Sequence, residues 1–205
     1  HYKIRKSKIL IIAEAGVNHN GSLDRARELI DVAHEAKADY VKFQTFTAEA
    51  VVTQSADKAE YQKGLTDEDE SQFEMIKKLE LDRETHEKLM IYCEPKGIKF
   101  LSTAFDEQNL TMLLKLGIKR IKIPSGEINN RQLLIFAGKK KIPIILSTGM
   151  AYLHEVSEAL KVITKSGTPK SKITVLHCTS EYPAAFKNIN LLAMKSMQNK
   201  FNVSV

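Results

Sequence analysis

The chain has 205 residues, 43% hydrophobic and 27% charged, a balance that suits one globular domain with a substantial core and argues against disorder. Its formal net charge of +6 favours anionic partners. The basic residues are scattered, however, and the one tight cluster, Lys139 to Lys141, reads as a solvated loop rather than a nucleic-acid surface. No apolar run approaches the ~20 residues a membrane helix needs. The N-terminal HYKIRKSKILIIAEAG runs from a short apolar stretch straight into Glu14 with no small-residue cleavage pattern, so it reads as a first strand and not as a signal peptide. Cys93 and Cys178 lie far apart without ligand-like spacing, which supports neither a disulfide framework nor a zinc site and leaves both expected as buried packing residues. These features predict a cytoplasmic protein with no membrane and no nucleic-acid partner.

Short β-rich runs alternate with longer amphipathic stretches. Ile9 to Ala13 is the first strand. A helix from about Asp24 to Ala36 follows, with Ala26, Leu29, Ile30 and Ala33 on one face. Tyr40 to Gln44 is the second strand. Thr47 to Gln72 is polar and weakly periodic, a long loop insertion with some helix, of the kind that more often forms a lid than a scaffold. Ser71 to Leu79 and Asp82 to Glu94 read as consecutive helices, the second capped by Asp82 and ended by Pro95 and Gly97. Four further strands are expected at Lys99 to Ser102, Arg120 to Ile123, Pro143 to Ser147 and Lys172 to His177. Their helices are Asp106 to Leu116, Asn130 to Ala137, Leu153 to Lys165 and Asn190 to Lys200, and Val203 to Val205 begins a seventh strand.

Repeated strand–helix alternation implies a parallel sheet covered by helices. EAGVNHNG after the first strand lacks the G-x-G-x-x-G spacing of a dinucleotide fold. Polar residues instead follow nearly every strand, as in a barrel whose active site is ringed by all the strand ends. The predicted fold is therefore an α/β TIM-type (β/α)8 barrel. A full one needs about eight units and roughly 250 residues. Residues 1–205 are expected to hold about six units and the start of strand seven, as one truncated barrel domain.

The strand ends carry the candidate chemistry. Glu14 ends the first strand. Lys42 and Gln44 share a face of the second, because alternate residues point the same way. Ser102 and Thr103 end the third. Lys122, between Ile121 and Ile123, is turned into the barrel, and Ser125, Gly126 and Glu127 follow it. Ser147 and Thr148 end the fifth strand, and His177 to Tyr182 follow the sixth. A buried lysine needs an anion. Two of them imply a multiply charged ligand, or else paired carboxylates such as Glu14 and Glu127. Hydroxyls of Ser102, Thr103, Ser125, Ser147 and Thr179 would donate to phosphate or carboxylate oxygens. His34, His86 and His154 fall in predicted helices and read as surface residues. His19 and His177 sit at strand ends, open either to a structural role or to proton transfer and metal binding.

The runs IIAEAGVNHNG, VKFQTF, LSTAFD, KIPSGE, LSTGM and LHCTSEYPA occur in this order at six successive strand ends. They resemble the sialic acid synthase family, whose members make N-acetylneuraminate, legionaminate or pseudaminate. The resemblance implies condensation of phosphoenolpyruvate with an N-acetylated mannosamine-type sugar. It assigns phosphoenolpyruvate contacts to Lys42, Thr103, Lys122, Ser125 and Ser147, and sugar contacts to Gln44 and Tyr182. Glu14 becomes the acid–base group, with Lys42 and Lys122 catalytic beside it. Glu127 and Ser180 complete the expected substrate-binding set. Many neuraminate synthases carry asparagine where this chain has Ser180, and the Glu60 to Leu81 stretch is more like the neuraminate and legionaminate branches. The resemblance further implies a homodimer, a C-terminal antifreeze-like domain that residues 1–205 do not include, and a divalent metal, Mn2+, whose histidine ligands are expected beyond Val205. The residues alone leave two other readings open: a Schiff-base lysine aldolase of small keto acids, and a non-catalytic sugar-phosphate-binding barrel fragment.

Overall fold

The computed structural model describes residues 9–53, 71–181 and 183–205. Six strands form within them: β1 Ile12–Gly16, β2 Tyr40–Thr45, β3 Lys99–Ala104, β4 Ile121–Ile123, β5 Ile144–Ser147 and β6 Ile173–Leu176. The main helices are α1 Leu23–Glu35, α2 Ala48–Val51, α3 Gln72–Lys77, α4 Arg83–Cys93, α5 Glu107–Leu116, α6 Arg131–Lys139, α7 Leu153–Lys165 and α8 Leu192–Phe201. No helix among the described residues is long and apolar enough to cross a membrane.

All six strands run parallel in one sheet, in the order β1-β2-β3-β4-β5-β6. Every crossover thus steps in the same direction. A doubly wound sheet reverses its order partway, so that alternative is excluded. Side chains from β1 through β6 line one concave cleft, which makes the sheet a curled half-barrel. Beyond β6, Ser204 forms a parallel bridge with Thr174 and accepts the Val175 N–H at 2.8 Å, so the expected seventh strand appears here as a single bridge.

Alternation sorts each strand into two faces. Val41, Phe43, Phe100, Ile121, Ile123, Ile144, Leu146, Ile173 and Val175 are buried on the outer face. They pack in one cluster with Ala26, Ile30, Leu89, Leu110, Leu113, Leu133, Val156, Leu160 and Ile163 of the helices. At ~25 cal/mol per Å2 of apolar area removed from water, this outer layer holds the sheet. The helices begin where short polar side chains satisfy free N–H groups: Ser22, Asp82, Asp106 and Asn130 each accept a backbone N–H three residues on. Ser71 and Glu74 form a reciprocal capping box at α3. Gly138 lets α6 meet α7 closely, since a Cβ there would stand 2.7 Å from the Ile163 carbonyl oxygen.

Two expectations need correction. The first strand lies at Ile12–Gly16 rather than Ile9 to Ala13, and Ile9, Leu10 and Ile11 are 79%, 42% and 53% exposed. A continuous apolar run carries no signal for its own ends. Pairing with β2 sets them, and a register shift between Glu14 and Gly16, where Gly16 adopts φ +55°, extends the strand. His86 is not a surface residue: it is fully buried against Phe100. Helical spacing puts it on the same face as Leu89 and Cys93, both buried. Residues 54–70 of the expected loop insertion lie outside the described residues.

Candidate active site

The strand ends open onto a cleft of about 560 Å3, within the range of small-ligand sites. Its centre is set by register. Glu14 on β1 stands opposite Lys42 on β2, and Thr103 on β3 stands opposite Lys122 on β4. Lys42 Nζ lies 2.6 Å from Glu14 Oε2 and donates to Thr103 Oγ1 at 3.3 Å. Lys122 Nζ donates to the carbonyl of its own neighbour Ile123 at 3.2 Å. The two lysines are only 8% and 7% exposed. Burial pulls Lys122 down to about 8, and the charge of Lys42 pushes the same way, while Cys178 and Glu14 oppose it. Two ammonium groups in one cleft, with a single carboxylate paired to one of them, leave a positive excess suited to a small anion with more than one charge.

The hydroxyls sit around this pair. Ser125 follows β4 and Ser147 ends β5, and both line the cleft with Thr103, Gln44, Asn18, Thr179 and Ser180. Ser125 Oγ accepts the Gly149 N–H at 2.9 Å, so its own proton stays available to a second acceptor. The absence of a side chain at Gly149 permits this approach: a Cβ there would lie 2.6 Å from Ser180 Oγ and 2.9 Å from Ser125 Oγ.

Of the residues singled out from sequence, Glu14, Lys42, Gln44, Thr103, Lys122, Ser125, Ser147 and Ser180 meet in this cleft. Glu127 does not line it; its carboxylate accepts from Asn130 Nδ2 at 2.7 Å at the start of α6. Tyr182 lies outside the described residues. Ser102 leaves the expected hydroxyl ring. It points to the helix side, where its hydroxyl is 2.6 Å from Thr45 Oγ1, itself 2.7 Å from His86 Nε2. His19 is fully buried, with Nδ1 accepting the Gly21 N–H, and neither it nor His177 lines the cleft. Cys178 was expected in packing, yet it is half-buried and lines the cleft with its sulfur 3.6 Å from Ser125 Oγ. It comes two residues after β6 ends, where strand alternation no longer assigns a face. No group of three or more His, Cys, Asp or Glu that could hold a metal ion occurs among the described residues. The implied manganese therefore has no fitting ligand set there.

The NeuB family matches residues 29–205. An N,N'-diacetyllegionaminic acid synthase from Campylobacter jejuni is 50% identical over 97% of this chain, and one from Legionella pneumophila is 47% identical over 95%. The chain spans 59% and 55% of the length of these two relatives. Among solved structures, an N-acetylneuraminic acid (sialic acid) synthetase from Leptospira borgpetersenii superposes with a TM-score of 0.83 at 32% identity, covering 96% of this chain and 63% of that one. A truncated 3-deoxy-D-arabino-heptulosonate 7-phosphate synthase from Thermotoga maritima shares the fold at 16% identity, with a TM-score of 0.62 over 92% of this chain and 60% of that one. The family match over residues 29–205 and the 50% identity to a relative over 97% of the chain mean that the chain belongs to the NeuB family.

Proposed function

We propose that this chain carries the phosphoenolpyruvate half of a synthase that joins phosphoenolpyruvate to an N-acylated mannosamine-type sugar, giving a nine-carbon sugar acid and phosphate. The names of the two relatives near 50% identity favour a product of the N,N'-diacetyllegionaminate type. The observation that carries the reading is the pair Lys42 and Lys122, both desolvated in one hydroxyl-lined cleft. Fixed charges in a water-poor site stabilise developing charge without reorganising at the moment of reaction. Lys42 and Lys122 hold the phosphate and carboxylate, with Thr103, Ser125 and Ser147 donating to their oxygens. C3 of the enol attacks the sugar aldehyde, water adds at C2, and phosphate leaves by carbon–oxygen cleavage. Glu14, with a side chain 52% exposed, sits where it can hold or deprotonate that water. Gln44 and Ser180 face the sugar side.

The same proposal includes completion of the half-barrel to eight strands, a homodimer, a cytoplasmic location and a divalent metal, for which manganese is the expectation. The steps above use only side chains of this chain. Titration calorimetry with phosphoenolpyruvate tests the reading. Binding should appear with this chain and weaken by about tenfold or more in Lys42→Met and Lys122→Met; a failure to bind at millimolar ligand would sink it.

A second reading rests on Lys122 alone. An ammonium held at about 8 is a feature that Schiff-base lysines share. Borohydride with pyruvate separates the two: a reduced adduct on Lys122 supports an aldolase, and an unmodified Lys122 supports the synthase.

A further inference from the structure

Cys178 brings to the cleft a thiol that the proposed condensation leaves unused. Its surroundings favour the thiolate. The Gly149 N–H can only donate, so Ser125 Oγ is the acceptor of that bond, and the Ser125 proton is free to point at Cys178 Sγ, 3.6 Å away. The Cys178 thiol proton has two acceptors in reach, Ser125 Oγ at 3.6 Å and the Leu176 carbonyl at 3.7 Å, and each already accepts a shorter bond, from the Gly149 N–H at 2.9 Å and the Thr148 hydroxyl at 2.8 Å. Ionisation therefore gives up one long, weak contact and keeps the donors. Burial pushes the thiol up, but the Ser125 hydroxyl, the Thr148 amide, the Ser147 hydroxyl and the Gly149 amide outweigh it and hold Cys178 below the ordinary thiol value.

A second observation points to an anionic ligand at the same place. Lys122 is 7% exposed and lines the same cleft; its one hydrogen bond goes to its own neighbour's carbonyl, and it has no ion pair among the described residues. A buried ammonium with no carboxylate in contact draws anions, the Cys178 thiolate and a small anionic ligand alike. Cys93 supplies the contrast inside one molecule: it is 2% exposed in the apolar core, and burial pushes it up to about 12.

We propose that Cys178 is an activated thiol, alkylated selectively by small anionic electrophiles that enter the cleft. The site needs the anion-attracting cleft but not the condensation reaction. In the step, the thiolate sulfur attacks the electrophilic carbon and a sulfur–carbon bond forms. The carbon–halogen bond breaks with its electron pair on the departing halide, and the thiol proton goes to solvent. A reagent bonded there fills the space beside Ser125 and Lys122.

Iodoacetate and iodoacetamide test this on the intact chain, because they share a reacting carbon and a leaving group and differ in charge. Peptide mass spectrometry separates Cys178 from Cys93, and glutathione gives the reference rate ratio. Cys178 should react well before Cys93. Its iodoacetate-to-iodoacetamide ratio should exceed that of glutathione by about tenfold, as one nearby cation in a low-dielectric site predicts. Lys122→Gln should bring that ratio back toward the glutathione value. A ratio equal to that of glutathione in the unaltered chain, or equal rates at the two cysteines, overturns the proposal without recourse to the variant. Phosphoenolpyruvate separates this idea from the proposed function. If it fails to slow an alkylation that still prefers iodoacetate, the condensation reading fails and the activated thiol stands.

Discussion

Glu14 and Lys42 face each other in register across β1 and β2, with oxygen and nitrogen 2.6 Å apart, but their surroundings differ: the lysine side chain is 10% exposed and the carboxylate side chain 52%. The carboxylate is the member of the pair that meets solvent. It also partly cancels the charge an incoming anion would feel. Glu14→Gln should therefore tighten phosphoenolpyruvate binding in calorimetry, by roughly threefold to tenfold, the range for loss of one partly screened like charge near the ligand. Turnover should fall in the same variant if Glu14 handles water. Weaker binding in the glutamine variant would mean that Glu14 organises the lysines rather than opposing the ligand.

Lys122 should trade stability against binding. Replacing a desolvated ammonium by methionine removes a buried charge while keeping the aliphatic stem, so Lys122→Met is expected to hold or raise the thermal midpoint. Loss of a charge-assisted contact should weaken phosphoenolpyruvate binding by about 10- to 100-fold, from ~1.5–3 kcal/mol. The pH dependence follows from the folded value of about 8 against the ordinary 10.5. Between these values the unfolded chain binds more protons, so stability rises with pH across that window, and the penalty is present in full below it. Scanning calorimetry from pH 7.5 to 9.5 should show that rise in the unaltered chain and not in Lys122→Met. A bound anion restores the ammonium. Binding near pH 9 should then take up a proton, seen as a calorimetric enthalpy that changes with the ionisation heat of the buffer.

Gly149 has no positive φ, so alanine there meets a space problem and no backbone strain. The new Cβ would press on Ser125 Oγ and Ser180 Oγ, both ends of movable side chains. Gly149→Ala should leave the thermal midpoint nearly unchanged and weaken anion binding about tenfold, the worth of one displaced charge-assisted hydroxyl. Gly138→Ala is the control with opposite behaviour. Its Cβ would meet the Ile163 carbonyl and Ser166 Cβ at 2.7 Å, between two packed helices. It should cost about 1–3 kcal/mol of stability and leave the ligand affinity of the folded fraction alone.

The architecture could be read from residue pattern because two signals agreed. Periodicity placed Ala26, Ile30 and Ala33, and likewise Val156, Leu160 and Ile163, on helix faces that are in fact buried. Polar residues after nearly every strand pointed to a ring of strand ends, and Glu14, Lys42, Thr103, Lys122 and Ser147 do converge. The misplacements have separate physical causes. Ser102 neighbours Thr103 on one strand, so strict alternation already placed it on the opposite face; grouping hydroxyls by sequence proximity ignored that. Cys178 lies past the end of β6, and a residue outside a strand has no period to assign it. His86 shares the four-residue helical spacing of Met90 and the seven-residue spacing of Cys93, a pattern that a polar residue can join when its ring nitrogens find partners. Those partners, Thr45 and the Asp82 carbonyl, come from a neighbouring strand and a preceding cap. Only the first of these contacts is long-range, and no local pattern encodes it.

The histidines behind the sheet predict an acid limit to stability. His86 Nδ1 lies 2.8 Å from the Asp82 carbonyl and so must be the donor, which leaves Nε2 to accept from Thr45 at 2.7 Å; Ser102 then donates to Thr45. The ring is neutral in this arrangement. Burial holds His86 below its ordinary value, against the pull of Asp82, and burial with the nearby His86 holds His19 below its own. Below pH 6.5, the ordinary histidine value, the unfolded chain takes up protons that the fold refuses. Stability is therefore present in full above that pH and falls as the pH drops toward the folded values. His86→Leu should lose about 1–3 kcal/mol at pH 7.5, because the Thr45 hydroxyl is left without its acceptor. Its thermal midpoint should then decline less steeply between pH 6.5 and 5 than that of the unaltered chain, with His19 accounting for the slope that remains. An equal acid slope in both proteins would show that His86 is not the group that charges on unfolding.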